Sequence, residues 1–183
     1  MSIEQSDALI SMTRDNLHGI PQFDLPPGYQ CRWFRPGDES IWRNLQSRAD
    51  LYNDITAELF AGQFGTDEDL LRQRQRFLVD AYQTPIATAT AWFDNYQGLP
   101  YGRLHWVAVV PEMQGRGLAK PLLSMVCKRM KELGHERAYL NTSTARLPAV
   151  NLYLKFGFLP EINLPEDERL WQEVYDRLNR LSR

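Results

Sequence analysis

The sequence lacks the features that mark several function classes. It holds only two cysteines, Cys31 and Cys127, in 183 residues. They lie far apart and without metal-ligand spacing, which excludes a disulfide framework and leaves no metal site expected. Each sits among regularly spaced apolar residues and reads as a small buried hydrophobe. Neither has a base beside it in sequence, as a nucleophilic thiol requires. No apolar run approaches the roughly 20 residues of a membrane helix. No charged leader followed by an apolar stretch opens the chain, so a cytoplasmic protein with no membrane role is expected. Positive charge is not in excess either: 21 Lys and Arg against 23 Asp and Glu leave a formal net charge of −2. That balance excludes the basic footprint of a nucleic-acid binder. The densest basic run, Arg72-Gln-Arg-Gln-Arg76, is expected as a solvated helix face.

What is present is a chain able to fold. With 43% hydrophobic and 24% charged residues it can build a core, and its length suits one domain. Residues 1–28 read as an N-terminal extension. Met1–Asn16 is expected as a short helix, followed by a linker broken by Pro21, Pro26 and Pro27. The domain proper is expected over residues 29–183. Tyr29–Phe34 alternates as a strand does. Ile41, Leu45, Tyr52, Ile55 and Leu59 recur at helical spacing, giving one long helix or two up to about Phe60. A second helical stretch runs from Asp67 through Leu78.

From Pro85 the period changes to two, and Ile86–Phe93 is a strand. A hairpin loop over residues 94–102 leads to Leu104–Val110, an apolar run of the kind buried on both faces. A helix from about Gly117 ends at Gly134. Ala138–Thr142 is a strand, Leu147–Phe156 a helix that accepts Pro148 in its first turn, and Phe158-Leu159 an extended piece. Pro165–Leu181 is helical. Antiparallel strands come first and βαβ units later, which implies an α/β (α+β) fold with a mixed, mostly antiparallel central sheet flanked by helices on both faces.

The segment that carries chemistry is Val109-Val-Pro-Glu-Met-Gln-Gly-Arg-Gly-Leu-Ala119. A buried strand runs through a glycine turn directly into a helix. Gly115 and Gly117 permit φ > 0, so successive N–H groups can face one concavity. The helix end adds unpaired donors and about half a positive charge. Phosphate or pyrophosphate fits such a site, and Arg116 could add a cation. The lysine and hydroxyl residue of a Walker loop are absent, and Lys120 stands where a dinucleotide loop has its third glycine. Pro121 would crowd the carbonyl of Gly117, so the helix has to begin at Gly117 or later.

Gln-x-x-Gly-x-Ala across Gln114, Gly117 and Ala119, preceded by Val-x-Pro at Val109–Pro111, resembles the acetyl-coenzyme A loop of the GCN5-related N-acetyltransferase (GNAT) superfamily. A second string, Ala149-Val-Asn-Leu-Tyr-Leu-Lys-Phe-Gly-Phe158, is similar to the family's later motif. The resemblance covers Tyr29 to Pro160 as an architecture, and this chain goes on to a helix where the family usually ends in a strand. It implies acetyl-CoA as cosubstrate, held by Gln114, Gly115, Arg116, Gly117, Leu118 and Ala119, by the backbone around Val107 and Val109, and by Asn151. The asparagine the family often has three residues before the alanine is Arg146 here.

The resemblance also implies that Tyr153 is the general acid toward the leaving thiolate. His105, four residues before Val109, stands where the family often places its base, and its ordinary pKa near 6.5 suits proton transfer. The expected reaction is direct acetyl transfer to a primary amine of a small molecule or peptide, in a ternary complex. A homodimer is compatible with the resemblance. The competing function is a non-catalytic acyl-CoA-binding or sensing module. Trp42, Tyr52, Phe60 and Phe64, with Asp50, Asp54 and Glu58, lie in the region where the family shapes its acceptor site. Read from the residues alone, they are core aromatics and a solvated acidic face.

Overall fold

The computed structural model describes residues 7–181. The sheet has seven strands: β1 Leu9–Arg14, β2 Gln30–Trp33, β3 Gln75–Val79, β4 Pro85–Tyr96, β5 Leu99–Val109, β6 Ala138–Ser143 and β7 Leu159–Pro160. The helices among the described residues are α1 Asp38–Ala49, α2 Ala57–Phe64, α3 Glu68–Arg74, α4 Ala119–Glu132, α5 Leu147–Lys155 and α6 Pro165–Leu181. Strand order is β2-β3-β4-β5-β6-β1-β7. Every neighbouring pair is antiparallel except β5 with β6. The mixed, mostly antiparallel sheet flanked by helices is therefore the fold the chain adopts.

Helices cover the sheet on both sides of β4 and β5. Trp92, His105 and Trp106 meet Trp42 of α1 and Phe64 of α2 on one face. On the other face α4 comes so close that a Cβ added at Gly102 would lie 2.8 Å from the Met130 sulfur. Glycine is what lets this helix settle on β5 and bury Leu122, Val126 and Met130.

Two local expectations need correction. Residues 9–14 form a strand, not part of a helix, and what was expected before residue 7 lies outside the described residues. Ile10 and Met12 are buried while Leu9 is 71% exposed, the two-residue alternation of a half-buried strand. β1 lies between β6 and β7, in register with β6 from Leu9 opposite Ser143 to Arg14 opposite Ala138, and with β7 at Met12 opposite Pro160 and Thr13 opposite Leu159. This part of the expected extension is thus an inner strand of the sheet. The last described element is α6, and the inner place beside β6 is filled by β1 from the other end of the sequence.

The second correction concerns Arg72–Arg76. Asp67 caps α3 by accepting from the Leu70 N–H at 3.0 Å. The helix stops at Arg74 and the chain enters β3 at Gln75 with no loop between. Arg74 and Arg76 are not a solvated face. Their guanidiniums lie 4.4 Å and 3.2 Å from the ring centres of Phe93 and Trp33, contacts a charged planar group makes while half-buried.

Candidate active site

A β-bulge in β5 shapes the site. Thr88 pairs with Ala108 and Thr90 with His105, so Ala89 alone stands opposite Trp106 and Val107. Trp106 takes the extra residue's strain, with φ at 49°. Two glutamines hold it there. Gln46 of α1 donates to the Trp106 carbonyl at 3.0 Å, and the Trp106 indole N–H donates to Gln63 of α2 at 3.0 Å. Gln46 is buried, so this bond satisfies an amide that would otherwise be costly.

Next to the bulge the sheet opens. β5 and β6 pair only at Gly102 with Ala138 and at Arg103 with Tyr139. Beyond these pairs the strands part, and residues 104–109 and 140–143 form two edges of a wedge whose facing backbone groups are not taken by each other. A linear amide-bearing arm can lie there as an added strand does. Val107 and Val109, expected to hold such an arm, are on this edge. Ser143 ends β6 with its hydroxyl buried and without a partner among the described residues.

The wedge leads to the glycine turn. Gly115 and Gly117 have φ of 74° and 77°, and nothing lies within 4 Å of a Cβ added at either. Gln114 fixes the turn by donating its side-chain amide to the Val109 carbonyl at 2.9 Å. Leu118 is buried and anchors the helix entry. Among the described residues, no partner takes the backbone N–H of Gly115, Arg116, Gly117 or Leu118. Arg116 is exposed and makes no ion pair among them. α4 begins at Ala119 with Leu118 at its cap, so Pro121 sits in the first turn, where its missing N–H costs nothing. Unpaired donors, a helix end and an exposed guanidinium thus lie together on one turn, the set of groups that suits a diphosphate.

Tyr153 projects from α5 and is 8% exposed, with Phe158 against its ring at 6.4 Å. Its hydroxyl has no hydrogen-bond partner among the described residues, and burial pushes its pKa up to about 12. Asn151 is exposed on the same helix, and its side chain makes no hydrogen bond among the described residues.

His105 differs from expectation in its chemistry. It is 6% exposed, edge-on to Phe64 at 5.4 Å, and its Nε2 has no partner among the described residues. Burial, helped by the charge of Arg103, lowers its pKa to about 2 instead of leaving it near 6.5. The ring is neutral in the folded protein, while in the unfolded chain it takes a proton below about pH 6.5. The unfolded state then binds more protons, so stability falls as pH drops from 6.5 toward 2. We expect about 2 kcal/mol of stability to be lost through this residue between pH 7 and pH 5, and His105→Gln to remove that part of the loss in urea unfolding at the two pH values.

The aromatics near the acceptor region divide in two. Trp42, Phe60 and Phe64 are core, with ring centres 5.0 to 5.5 Å apart. Tyr52 is 45% exposed. Arg146 bonds both Asp50 oxygens at 2.9 and 3.0 Å and lies 4.9 Å from the Tyr52 ring, tying the loop after α1 to the start of α5. Burial opposes ionisation of Asp50, but bonds from Asn53, the Tyr52 N–H and Arg146 hold its carboxyl below the usual range. Asp54 precedes α2, so it shares no helix face with Glu58. Sequence reasoning missed Gln46, Gln63 and Trp106, because Leu104–Val110 reads as an almost continuous apolar run with no glycine to mark a bulge.

Comparison with known proteins agrees with the fold. The model of the Acetyltransferase (GNAT) family matches residues 39–158. A mycothiol acetyltransferase of Cellulomonas flavigena is 29% identical over 150 residues, 76% of this chain and 42% of that protein. The chain spans about half the length of the curated relatives it matches. A GCN5-related N-acetyltransferase from Sphaerobacter thermophilus superposes with a TM-score of 0.66 at 20% identity, over 84% of this chain and 48% of that one. The NatC complex, solved with a Gag peptide and CoA, contains a chain that superposes with a TM-score of 0.61 at 19% identity, over 73% of this chain and 86% of that one. No helix among the described residues is long and apolar enough to cross a membrane. The match over residues 39–158 settles the family: the chain belongs to the acetyltransferase (GNAT) family.

Proposed function

We propose that this protein transfers an acetyl group from acetyl-CoA to a primary amine of a small molecule or peptide, directly and within a ternary complex. Use of acetyl-CoA is general in the family. The observation that carries the reading is the continuity of the wedge between β5 and β6 with the turn at Gly115–Leu118. The turn suits the diphosphate and the wedge suits the pantetheine arm. An arm lying along Val107 and Val109 brings the thioester toward the bulge and Tyr153. Strand N–H groups freed by the bulge can polarise the thioester carbonyl.

The amine must shed a proton before it attacks, since an ammonium has a pKa near 10.4. His105 is proposed to take a proton from the nitrogen only once the C–N bond has formed and made it acidic, because a buried ring held near pKa 2 is far too weak a base for an ammonium near 10.4, whose first proton goes to water. His105→Gln is expected to lower kcat by at least about tenfold while acetyl-CoA affinity holds. Unchanged turnover would remove the ring from the reaction. Asn151 is proposed as a contact to the pantetheine arm, and a cytoplasmic protein, able to pair as a homodimer, remains our reading.

The test of the activity is thiol release from acetyl-CoA across polyamines, amino acids, aminoglycosides and short peptides. Acetylation of at least one acceptor is expected. Tight coenzyme binding with no turnover on any acceptor would instead establish a sensing module.

A further inference from the structure

The segment before β2, residues 15–28, forms a strap along α4. The Leu17 N–H donates to the Glu136 carbonyl at 2.8 Å. Farther along, the Phe23 N–H donates to the Ser124 hydroxyl at 3.1 Å, and that hydroxyl donates to the Pro21 carbonyl at 2.9 Å. The strap therefore runs from the C-terminal end of α4 toward its N-terminal end, which is the phosphate turn. Phe23 is the residue it delivers there. Its ring lies 5.4 Å from the Lys120 ammonium and 5.9 Å from the Phe156 ring just past α5, yet stays 43% exposed. Lys120 is the second residue of α4 and makes no ion pair among the described residues. Residue 23 lies outside the part of the chain that the family model matches.

Coenzyme A has two arms on its diphosphate. With the diphosphate on the N–H groups of residues 115–118, the pantetheine arm leaves into the wedge. The adenosine must leave on the other side, over the first turn of α4. An exposed aromatic face and an unpaired ammonium stand beside that turn. We propose that Phe23 stacks on the adenine of the coenzyme and that Lys120 pairs with its ribose phosphate. This rests on the acetyl-CoA reading above. The strap then makes the affinity for the whole coenzyme depend on a part of the chain outside the matched domain. Stacking of a base on an aromatic ring is worth enough that its loss weakens binding about tenfold. An ammonium facing a phosphate adds a charge-assisted contact.

The experiment is calorimetric titration of acetyl-CoA, acetyl-dephospho-CoA and acetyl-phosphopantetheine into the unaltered protein, Phe23→Ala, Phe23→Trp and Lys120→Ala. Phe23→Ala is expected to weaken acetyl-CoA about tenfold and leave acetyl-phosphopantetheine, which lacks the adenosine, unchanged. Phe23→Trp is expected to bind at least as tightly as the unaltered protein. Lys120→Ala should erase the preference for acetyl-CoA over its dephospho form. The inference is overturned if Phe23→Ala leaves acetyl-CoA affinity intact, or weakens both acetyl-CoA and acetyl-phosphopantetheine equally. If the unaltered protein binds no acetyl-CoA, the acetyl-CoA reading itself fails. Binding with no effect of Phe23 removes only the adenine site.

Discussion

Tyr153→Phe is expected to lower kcat by about 10²–10³-fold while acetyl-CoA affinity changes little. The side chain is buried on α5, and its hydroxyl is not bound by any other described residue. Loss of one oxygen leaves the ring and its packing on Phe158 in place. The form of the pH profile follows from the raised pKa. A phenol near pKa 12 stays protonated at every working pH. It contributes no falling limb below about pH 10, and the ratio of wild-type to variant rates is expected to stay constant from about pH 6 to 10. Outright transfer from such a phenol to a thiolate near pKa 8.5 is uphill by roughly 5 kcal/mol. We therefore propose that the hydroxyl acts first as a hydrogen-bond donor that stabilises the thiolate as it departs. A rate ratio that collapses between about pH 8 and 9 would show a phenol with a lowered pKa instead.

Met12→Asp is expected to abolish the folded protein altogether. Met12 is fully buried at the centre of β1, opposite Leu140 on one side and Pro160 on the other. A carboxylate there loses its hydration without a partner, at a cost of several kcal/mol against a total stability of about 5–15 kcal/mol. Withdrawal of β1 would also leave the inner edges of β6 and β7 unpaired. Met12→Leu, close in volume, is expected to cost less than about 1.5 kcal/mol in urea unfolding. Should Met12→Asp remain folded with an unchanged thermal midpoint, β1 would not be an inner strand.

The sequence disclosed the turn at Gly115–Gly117, the helix start after it, the β4–β5 hairpin and the closing helix, because each is marked locally, although the hairpin turns at Gln97 and Gly98 alone and its strands fill the rest of the loop expected over residues 94–102. Glycines required at positive φ, a change of period at Pro85 and the apolar stripe of α6 are all visible within a few residues. β1 was not legible. Ile10 and Met12 alternate over too few residues to separate a strand from a helix turn, and what makes them a strand is the gap between β6 and β7. The α3–β3 junction was hidden for a similar reason. No glycine or proline marks Gln75, and the arginines before and after it look like one helical run until Trp33 and Phe93 supply ring faces to cover. The bulge at Trp106 depends on Gln46 and Gln63, 60 and 43 residues away in sequence. The low pKa of His105 arises from burial under Phe64, which only the packing of α2 reveals.

The central claim is that the turn at Gly115–Leu118 holds the diphosphate of acetyl-CoA, and Gly117 tests it most directly. Gly117 has φ of 77°, and a Cβ there would meet no protein atom within 4 Å. A side chain at that position strains the backbone by roughly 1–3 kcal/mol and stands in the ligand's space. Calorimetric titration of acetyl-CoA into the unaltered protein and into Gly117→Val, with circular dichroism to confirm that both are folded, is the measurement. The account predicts saturable binding to the first and a loss of at least about a hundredfold in the second. Equal affinity in two folded proteins, or no binding to the unaltered one, would contradict it.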